Sequence, residues 1–166
     1  VKEFIYNNGI NVLVNNAGIY NYSALVDEDE NVVRNIIRTN VEAPIILSKY
    51  VLKNMKEQKW GRIINIGSIS GVMGEANASV YSASKASLIG FSKALALEIA
   101  QDNITVNTIN AGWVDTELGN ESIDESEFSK EEIMEIIPQK RFVTPEEIAR
   151  LIKYLISDDA RGITGQ

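Results

Sequence analysis

Three short apolar runs predict the buried β-strands of a sheet. They are INVLV (10–14), RIINI (62–66) and ITVNTI (104–109). Each run is rich in β-branched residues, and small or turn-forming residues follow it. Stretches with helical periodicity lie between the runs, at 28–56, with an interruption near 40–44, and at 80–101. Strands that alternate with helices predict parallel crossovers, and hence an α/β fold built on a parallel sheet.

Two later helices are predicted from their capping signals. Ser129 and Glu132 have the spacing of a capping box. Thr144, Pro145 and Glu147 supply an N-cap, a proline at the first helical position and an acid at the third. The final residues, DDARGITGQ, lead to the point where one further strand would begin.

The segments that follow the three predicted strands share one composition. They are NNAG (15–18), GSISG (67–71) and NAGWVDT (110–116). Functional residues of open parallel sheets gather beyond the carboxyl ends of the strands. Small residues with hydrogen-bonding groups at all three ends predict a planar or phosphorylated ligand that lies along this edge of the sheet.

Composition narrows the chemistry. The chain has 166 residues, the size of one domain, and a net charge of −7, which disfavours nucleic acid as a partner. It contains no cysteine and no histidine, so disulfides, Cys/His metal sites and a histidine base are excluded and no metal is expected. No apolar run approaches the ~20 residues that span a bilayer, and no signal peptide is evident, so we expect a cytoplasmic location.

The stretch VYSASK (80–85) places a phenol and an ammonium on one helical face. Tyr81 and Lys85 are four residues apart, and only small residues separate them. A neighbouring ammonium favours the phenolate and lowers the pKa of a tyrosine from about 10. Such a tyrosine can act as a general acid or base. Most Tyr-x-x-x-Lys pairs are surface decoration or packing, so this interpretation depends on agreement with the three loops.

Together these motifs resemble the classical short-chain dehydrogenase/reductase family. NNAG after a buried strand, a serine that ends the next strand (INIGS), YSASK thirteen residues further on, TN at 39–40, NAGWVDT and the C-terminal run RFVTPEEIARLIKYLISDDARGITGQ follow the family's order over essentially the whole chain. The resemblance implies a Rossmann-like doubly wound parallel sheet. Residues 1–166 would be a single partial domain that holds the C-terminal part of that sheet, three strands with flanking helices.

The family resemblance implies four catalytic residues. Tyr81 would donate the proton to the carbonyl oxygen during reduction. Lys85 would lower the pKa of Tyr81 and, beside it, bind the nicotinamide ribose. Ser68 would hydrogen-bond the substrate oxygen. Asn40 would hold a water that links Lys85 to solvent.

It also implies a dinucleotide cofactor, NADP with NAD as an alternative. Asn16, Ala17 and Gly18 would line the adenosine side, and Val114 and Thr116 would meet the nicotinamide carboxamide, in addition to the contacts of the catalytic tyrosine and lysine. The residues that normally select between the two cofactors, after the second strand of the fold, are not in this sequence.

Several nearby residues allow a structural role as well. Asn15 either touches cofactor or ties neighbouring strands, Ser70 is expected to be structural, and Trp113 is expected to cover the edge of the core. Three others line the substrate pocket or simply pack: Tyr20, Tyr22 and Met73. Ala111 stands where the family usually has proline, which predicts a looser loop and a modest effect on cofactor binding.

The glycine-rich turn of the family, T-G-x-x-x-G-x-G, is not found before NNAG, and its usual final strand is not found after TGQ. We therefore expect a domain truncated at both ends. Alone, the strand at 10–14 would expose an apolar edge, which predicts instability or association through that edge. A non-catalytic fragment without a phosphate cradle is the alternative to an enzyme.

Within the family, the resemblance is greatest to bacterial 3-oxoacyl-[acyl-carrier-protein] reductases. It implies a 3-oxoacyl thioester as substrate and acyl carrier protein as partner, with a sugar, polyol or other small secondary alcohol as the alternative. Lys56, Lys59 and Arg62 are predicted to form a basic rim near the site, although Asp102 on that rim weakens the docking of an acidic carrier protein. The family also implies a homotetramer packed through the helices at 41–57 and 80–101.

Overall fold

The computed structural model describes residues 1–124, 126 and 128–166. The elements in chain order are α1 (Lys2–Asn8), β1 (Val12–Asn15), α2 (Glu30–Ile37), a π-helical turn (Arg38–Glu42), α3 (Ala43–Gln58), β2 (Gly61–Ser68), α4 (Ser70–Met73), α5 (Ser79–Ile99), a 3₁₀ turn (Ala100–Asp102), β3 (Ile104–Ala111), α6 (Glu117–Asp124), α7 (Lys130–Ile136), α8 (Pro145–Leu155) and a 3₁₀ turn (Asp158–Ala160). Within the described residues, none of the helices has both the length and the apolar character needed to cross a membrane.

The three strands form a parallel sheet in the order β1-β2-β3, which confirms the predicted fold class. The ladder between β2 and β3 ends with Ser68 opposite Ala111. Both β2 and β3 run two residues past their predicted ends, because the Ile69 N–H still donates to the Ala111 carbonyl at 2.8 Å. Ala111 therefore continues the ladder rather than loosening a loop.

Helices cover both faces of the sheet. Ile63 of β2 packs with residues of α3 and α5, including Val51 and Leu95. The next residue, Ile64, points the opposite way and packs with Leu155 of α8. Adjacent strand residues face opposite sides of a sheet, so continuous apolar runs are what a strand buried on both faces requires.

The chain's last residues run beside the outer edge of β3. The Gly165 N–H donates to the Val106 carbonyl at 2.7 Å, and the Thr108 N–H donates to the Gln166 carbonyl at 2.7 Å. This segment lies where the sequence predicted a further strand to begin. It forms hydrogen bonds with backbone groups on the edge of β3 that faces away from β2.

The predicted interruption in the long helical stretch is a π-helical turn. It spans Arg38–Glu42, and the Ala43 N–H donates to the Arg38 carbonyl. Asn40 sits within this turn and is buried. A π-bulge widens the helix by one residue, which redirects the side chains around it and is frequent at functional sites.

Both predicted capping boxes are confirmed. Ser129 caps α7 with Glu132, and Thr144 caps α8 with Glu147. In each case the hydroxyl accepts from the third backbone N–H while the glutamate accepts from the N-cap N–H. These helix starts are predictable from the sequence because the capping partners are only three residues apart.

Candidate active site

Helix α5 brings Tyr81 and Lys85 to the carboxyl edge of the sheet. The Lys85 Nζ lies 5.6 Å from the centroid of the Tyr81 ring. Lys85 is 5% exposed, and its ammonium donates to the Ile66 carbonyl oxygen at 2.9 Å. Close packing of α4 on α5 depends on Gly71, since a Cβ there would stand 2.7 Å from the Ala86 nitrogen.

Burial sets the charge state of Lys85. It lowers the pKa of the ammonium from 10.5 to about 8. The group that compensates the charge is a neutral carbonyl dipole, that of Ile66. A lysine in this environment can gain or lose a proton close to neutral pH.

The electrostatics of Tyr81 differ from the prediction. Burial raises the pKa of the phenol, a hydrogen bond with Ser68 opposes the rise, and the Glu75 carboxylate adds to it. The expectation that Lys85 keeps this pKa low is therefore wrong for the structure described. The lysine faces the ring and a carbonyl oxygen rather than the phenol oxygen, and desolvation of the phenolate is the largest cause of the shift.

Ser68, the last residue of β2, begins a chain of hydroxyl hydrogen bonds. Its Oγ donates to Ser70 Oγ at 3.1 Å and accepts from the Ser70 N–H at 3.1 Å. Ser70 Oγ in turn donates to Glu75 Oε2 at 2.7 Å. Ser70 therefore has the structural role that was expected. Its hydrogen bonds orient Ser68 and connect Ser68 to the Glu75 carboxylate.

Glu75 and Tyr20 complete the wall beside the phenol. The Tyr20 hydroxyl donates to Glu75 Oε1 at 2.8 Å. The Tyr20 ring meets the Tyr81 ring edge-on, with centroids 4.9 Å apart and an interplanar angle of 76°. Sequence reasoning missed Glu75. The available signal was one acid in a stretch of otherwise small and apolar residues, GVMGEANAS, just before the helix that carries Tyr81.

Asn40 fastens the loop after β1. Its Oδ1 accepts from the Ile19 N–H and its Nδ2 donates to the Ile19 carbonyl, each at 2.9 Å. Nδ2 also donates to Ser84 Oγ at 3.0 Å. These bonds use both amide protons of the side chain and one lone pair of Oδ1, so a water on Asn40 would donate either to the second lone pair of Oδ1 or to the backbone carbonyl. The water relay stays a prediction.

The loop that follows β1 approaches Lys85 closely. A Cβ on Gly18 would stand 3.3 Å from Lys85 Nζ and 3.5 Å from Asn40 Oδ1. Asn16 and Ala17 precede it and are exposed. A glycine without a side chain beside a buried amine leaves room for the approach of a ribose or a base, so these residues are compatible with a dinucleotide.

Val114 and Thr116 lie in the segment after β3. Val114 forms a parallel bridge with Val143, and Thr116 Oγ accepts from the Gly119 N–H at 3.0 Å. Trp113 stacks on Phe142 with centroids 6.0 Å apart, in a small apolar cluster. The tryptophan thus covers the edge of the core, as expected.

The structure shows the surroundings of three further candidate residues, Asn15, Tyr22 and Met73. Asn15 Nδ2 donates to Asn65 Oδ1 at 2.7 Å, so it ties β1 to β2. The Tyr22 hydroxyl accepts from Asn77 Nδ2 at 3.0 Å. Met73 is 79% exposed. Of the three residues expected to line the pocket or to pack, Tyr20 is the one for which the described structure shows a ring contact with Tyr81.

The predicted basic rim was placed at the wrong end of the sheet. Arg62 lies at the amino end of β2, six residues and roughly 20 Å from Ser68. Arg62 is fully buried, and its guanidinium pairs with Asp158 at 3.1 Å. Lys59 pairs with Asp102 at the same end. Sequence proximity to the strand was mistaken for proximity to its carboxyl end.

The fold and this side-chain group define a Rossmann-type α/β protein with a serine, a tyrosine and a lysine at the carboxyl edge of its sheet. The chain belongs to the short-chain dehydrogenase/reductase family. Residues 2–166 match the family described as enoyl-(acyl carrier protein) reductase. An oxidoreductase of the short-chain dehydrogenase/reductase family from Burkholderia thailandensis superposes with a TM-score of 0.87 at 30% identity, over 99% of this chain and 64% of that one.

Two further relatives carry more specific names. The 3-oxoacyl-[acyl-carrier-protein] reductase of Buchnera aphidicola is 41% identical over 157 residues, which are 95% of this chain and 63% of the relative. A structure from Beutenbergia cavernae, provisionally assigned as an NAD(P)-dependent gluconate 5-dehydrogenase with NADP bound at low occupancy, has a TM-score of 0.93 and 32% identity, over 99% of this chain and 66% of that one. The chain thus spans under two thirds of the length of these relatives.

Proposed function

We propose that the full-length protein carrying this chain reduces a carbonyl group to a secondary alcohol with NADPH or NADH. The observation that carries the proposal is the convergence of Ser68, Tyr81 and Lys85 at the carboxyl edge of the sheet. Two of the three have displaced pKa values for a stated physical reason, desolvation. Displaced pKa values in a cleft are a mark of functional groups.

Tyr81 is the proposed acid. Its raised pKa keeps the phenol protonated at neutral pH, as a group that must give a proton to a carbonyl oxygen requires. Once its hydroxyl proton turns from Ser70 towards the substrate, Ser68 would donate to the same oxygen and stabilise the charge that develops on it. The ammonium of Lys85 favours the phenolate left after the transfer.

A dinucleotide would be held by two segments. Asn16, Ala17 and Gly18 would face the adenosine side, and Val114 and Thr116 would face the nicotinamide carboxamide. Lys85 has two ammonium protons beyond the one given to Ile66, and these would serve ribose hydroxyls next to Tyr81. When bound, the reduced nicotinamide supplies the hydride.

A 3-oxoacyl thioester is the first proposed substrate class, and acyl carrier protein the proposed carrier. Support comes from the reductase of Buchnera aphidicola at 41% identity. A sugar or polyol is the second candidate, favoured by the hydrogen-bonding wall of Tyr20, Ser70 and Glu75. A carrier protein would not find the basic rim predicted from the sequence, since those residues lie at the other end of the sheet.

Self-association into a tetramer is part of the proposal. The outer side of α5 would form one contact and α3 another. Support comes from α5, where Leu97 is 88% exposed on a helix whose neighbouring exposed residues include Ala94 and Gly90. Cytoplasmic location remains an expectation.

The decisive experiment is Tyr81→Phe in the full-length protein, the product of the complete gene. Loss of one hydroxyl should lower kcat/KM for ketone reduction by about 10²–10⁴-fold. Binding of reduced cofactor, followed by its fluorescence, should persist. Tyr154→Phe on α8, 47% exposed, is the matched control and should have no effect. Turnover retained in Tyr81→Phe contradicts the proposal, as does a parent protein that binds cofactor but reduces neither class of substrate.

A further inference from the structure

A carboxylate fixed at both oxygens lies in the wall of the proposed substrate cleft. Glu75 Oε1 accepts from the Tyr20 hydroxyl at 2.8 Å, and Oε2 accepts from Ser70 Oγ at 2.7 Å. The two donors come from separate parts of the chain, the loop after β1 and helix α4. Because both oxygens are held, the negative charge has a defined position rather than the spread of a mobile surface side chain.

Both anchors of this carboxylate touch the proposed reacting groups. Ser70 Oγ is 3.1 Å from Ser68 Oγ, and the Tyr20 ring is 4.9 Å from the Tyr81 ring. The charge of Glu75 also acts on the phenol of Tyr81. Burial raises the pKa of Tyr81, and the Glu75 carboxylate raises it further. A substrate oxygen held by Ser68 and Tyr81 would therefore bring its neighbouring groups towards Glu75.

The charge of Glu75 is not neutralised by a cation in the described residues, 1–124, 126 and 128–166. The salt bridges found there do not include Glu75. The buried ammonium of Lys85 donates to the Ile66 carbonyl. A fixed negative charge on a half-buried side chain repels a second negative charge more strongly than a charge in bulk water does, whereas it accepts hydrogen bonds from hydroxyl groups well.

We infer that Glu75 determines which carbonyl compounds the site accepts by their charge. It admits ketones whose neighbouring group is neutral, such as a thioester, an ester or a hydroxylated carbon, and it excludes those with a carboxylate beside the ketone. The inference rests on the proposed function and names a selection that would separate a 3-oxoacyl thioester from the free 3-oxo acid. Glu75 is a specificity-determining residue here, and the proton transfer remains with Tyr81.

Two probes that share the same 3-oxobutanoyl group test the inference. Ethyl acetoacetate is neutral, and acetoacetate carries a carboxylate at the same place. In the full-length protein we expect the ester to be preferred in kcat/KM. Glu75→Gln keeps the shape and the acceptor for Ser70 but removes the charge, so the acid-to-ester ratio of kcat/KM should rise by at least about tenfold. Glu75→Ala, which removes the whole group, should change the ratio in the same direction.

A charge-matched control separates local from general electrostatics. Glu57→Gln, exposed near the end of α3, changes the net charge equally and should leave the ratio unchanged. A binding measurement gives a readout that does not need turnover. By calorimetry, Glu75→Gln should bind 3-hydroxybutyrate about tenfold more tightly than the parent protein does, with little change for its ethyl ester.

The outcomes distinguish this inference from the proposed function. An acid-to-ester ratio and a 3-hydroxybutyrate affinity that are the same in parent and Glu75→Gln overturn the role of Glu75, even if the ester is reduced well. A parent protein that reduces neither probe nor any other ketone contradicts the proposed function. The calorimetric comparison then still decides whether Glu75 excludes carboxylates.

Discussion

The two ends of the β-sheet hold their charged side chains in different ways. At the amino ends of the strands, Arg62 is fully buried and meets Asp158 at 3.1 Å, and Lys59 contacts Asp102. At the carboxyl ends, Lys85 is 5% exposed and meets a carbonyl oxygen instead of a carboxylate. At the amino ends each of these cations therefore pairs with a carboxylate. At the carboxyl ends, among the described residues, the desolvated ammonium of Lys85 has only the dipole of a carbonyl group as its hydrogen-bond partner.

The difference explains why one end is structural and the other chemical. The hydrogen bond from Lys59 lowers the pKa of Asp102, so that pair stays ionised. Burial without a counter-charge lowers the pKa of Lys85 to about 8, which brings proton exchange into the neutral range. A nearby opposite charge keeps an ionisable group in its charged form. Without such a charge, a buried group can change its protonation state near neutral pH.

The largest expected effect comes from replacing a lysine by methionine at each end of the sheet. Lys85→Met should lower kcat/KM for carbonyl reduction by about 10²-fold or more, because the charge that favours the phenolate is lost. The free energy of unfolding should stay equal or rise, since an apolar group replaces a desolvated charge. Enzyme kinetics and chemical denaturation of the full-length protein measure the two quantities.

Lys59→Met is the matched control at the amino end. It should leave kcat/KM unchanged, because Lys59 is remote from the site. Equal losses of activity in both variants would show that the contrast between the ends has no functional meaning.

The second effect concerns stability at the amino end. Arg62→Ala removes a fully buried side chain and leaves the Gly61 and Asn103 carbonyls without their guanidinium donor. The free energy of unfolding should fall by about 2–4 kcal/mol. Below the unfolding transition kcat/KM should be retained, and Arg150→Ala on the exposed side of α8 should cost less than about 0.5 kcal/mol. An Arg62→Ala protein as stable as its parent would contradict the structural role.

The smallest effect is a pH dependence of stability due to Lys85. Its pKa is 10.5 for a free lysine and about 8 in the fold. Between these values the unfolded chain binds more protons than the folded one, so stability rises with pH. Below pH 8 the contribution is a constant cost.

Without cofactor, the free energy of unfolding should therefore gain about 2 kcal/mol from Lys85 between pH 7.5 and 9.5. The upper limit avoids the range in which the raised pKa of Tyr81 has the opposite effect, because the unfolded phenol would ionise first. Lys85→Met should lack this gain when measured by denaturation at each pH. A variant whose stability changes with pH as the parent's does would remove Lys85 as the cause.

The sequence predicted the features that depend on local or periodic patterns. Parallel strands, the break near Asn40 and both capping boxes follow from apolar runs, helical period and short-range partners. The pair of Tyr81 and Lys85 follows from four-residue spacing on a helix. The three strand ends also met at one edge, because parallel strands end on the same side.

Features that depend on distant contacts were predicted poorly. The direction of the pKa shift at Tyr81 depends on how deeply α5 is buried and on Glu75, neither of which spacing reveals. The basic rim was assigned to the wrong end of the sheet because the strand's direction relative to Arg62 was overlooked. Glu75 drew no attention because a single acid in a loop carries no pattern.

By itself the sequence determined the family, the parallel sheet and the two residues whose spacing puts a phenol beside an amine. Only the tertiary structure decided the electrostatic balance at that pair, because burial and the partners brought in by other segments are properties of the packed chain. Helix α5 supplies Tyr81 and Lys85, while the loops from β1 and β2 supply Tyr20 and Glu75. The charge that faces a substrate is set where these separate segments meet.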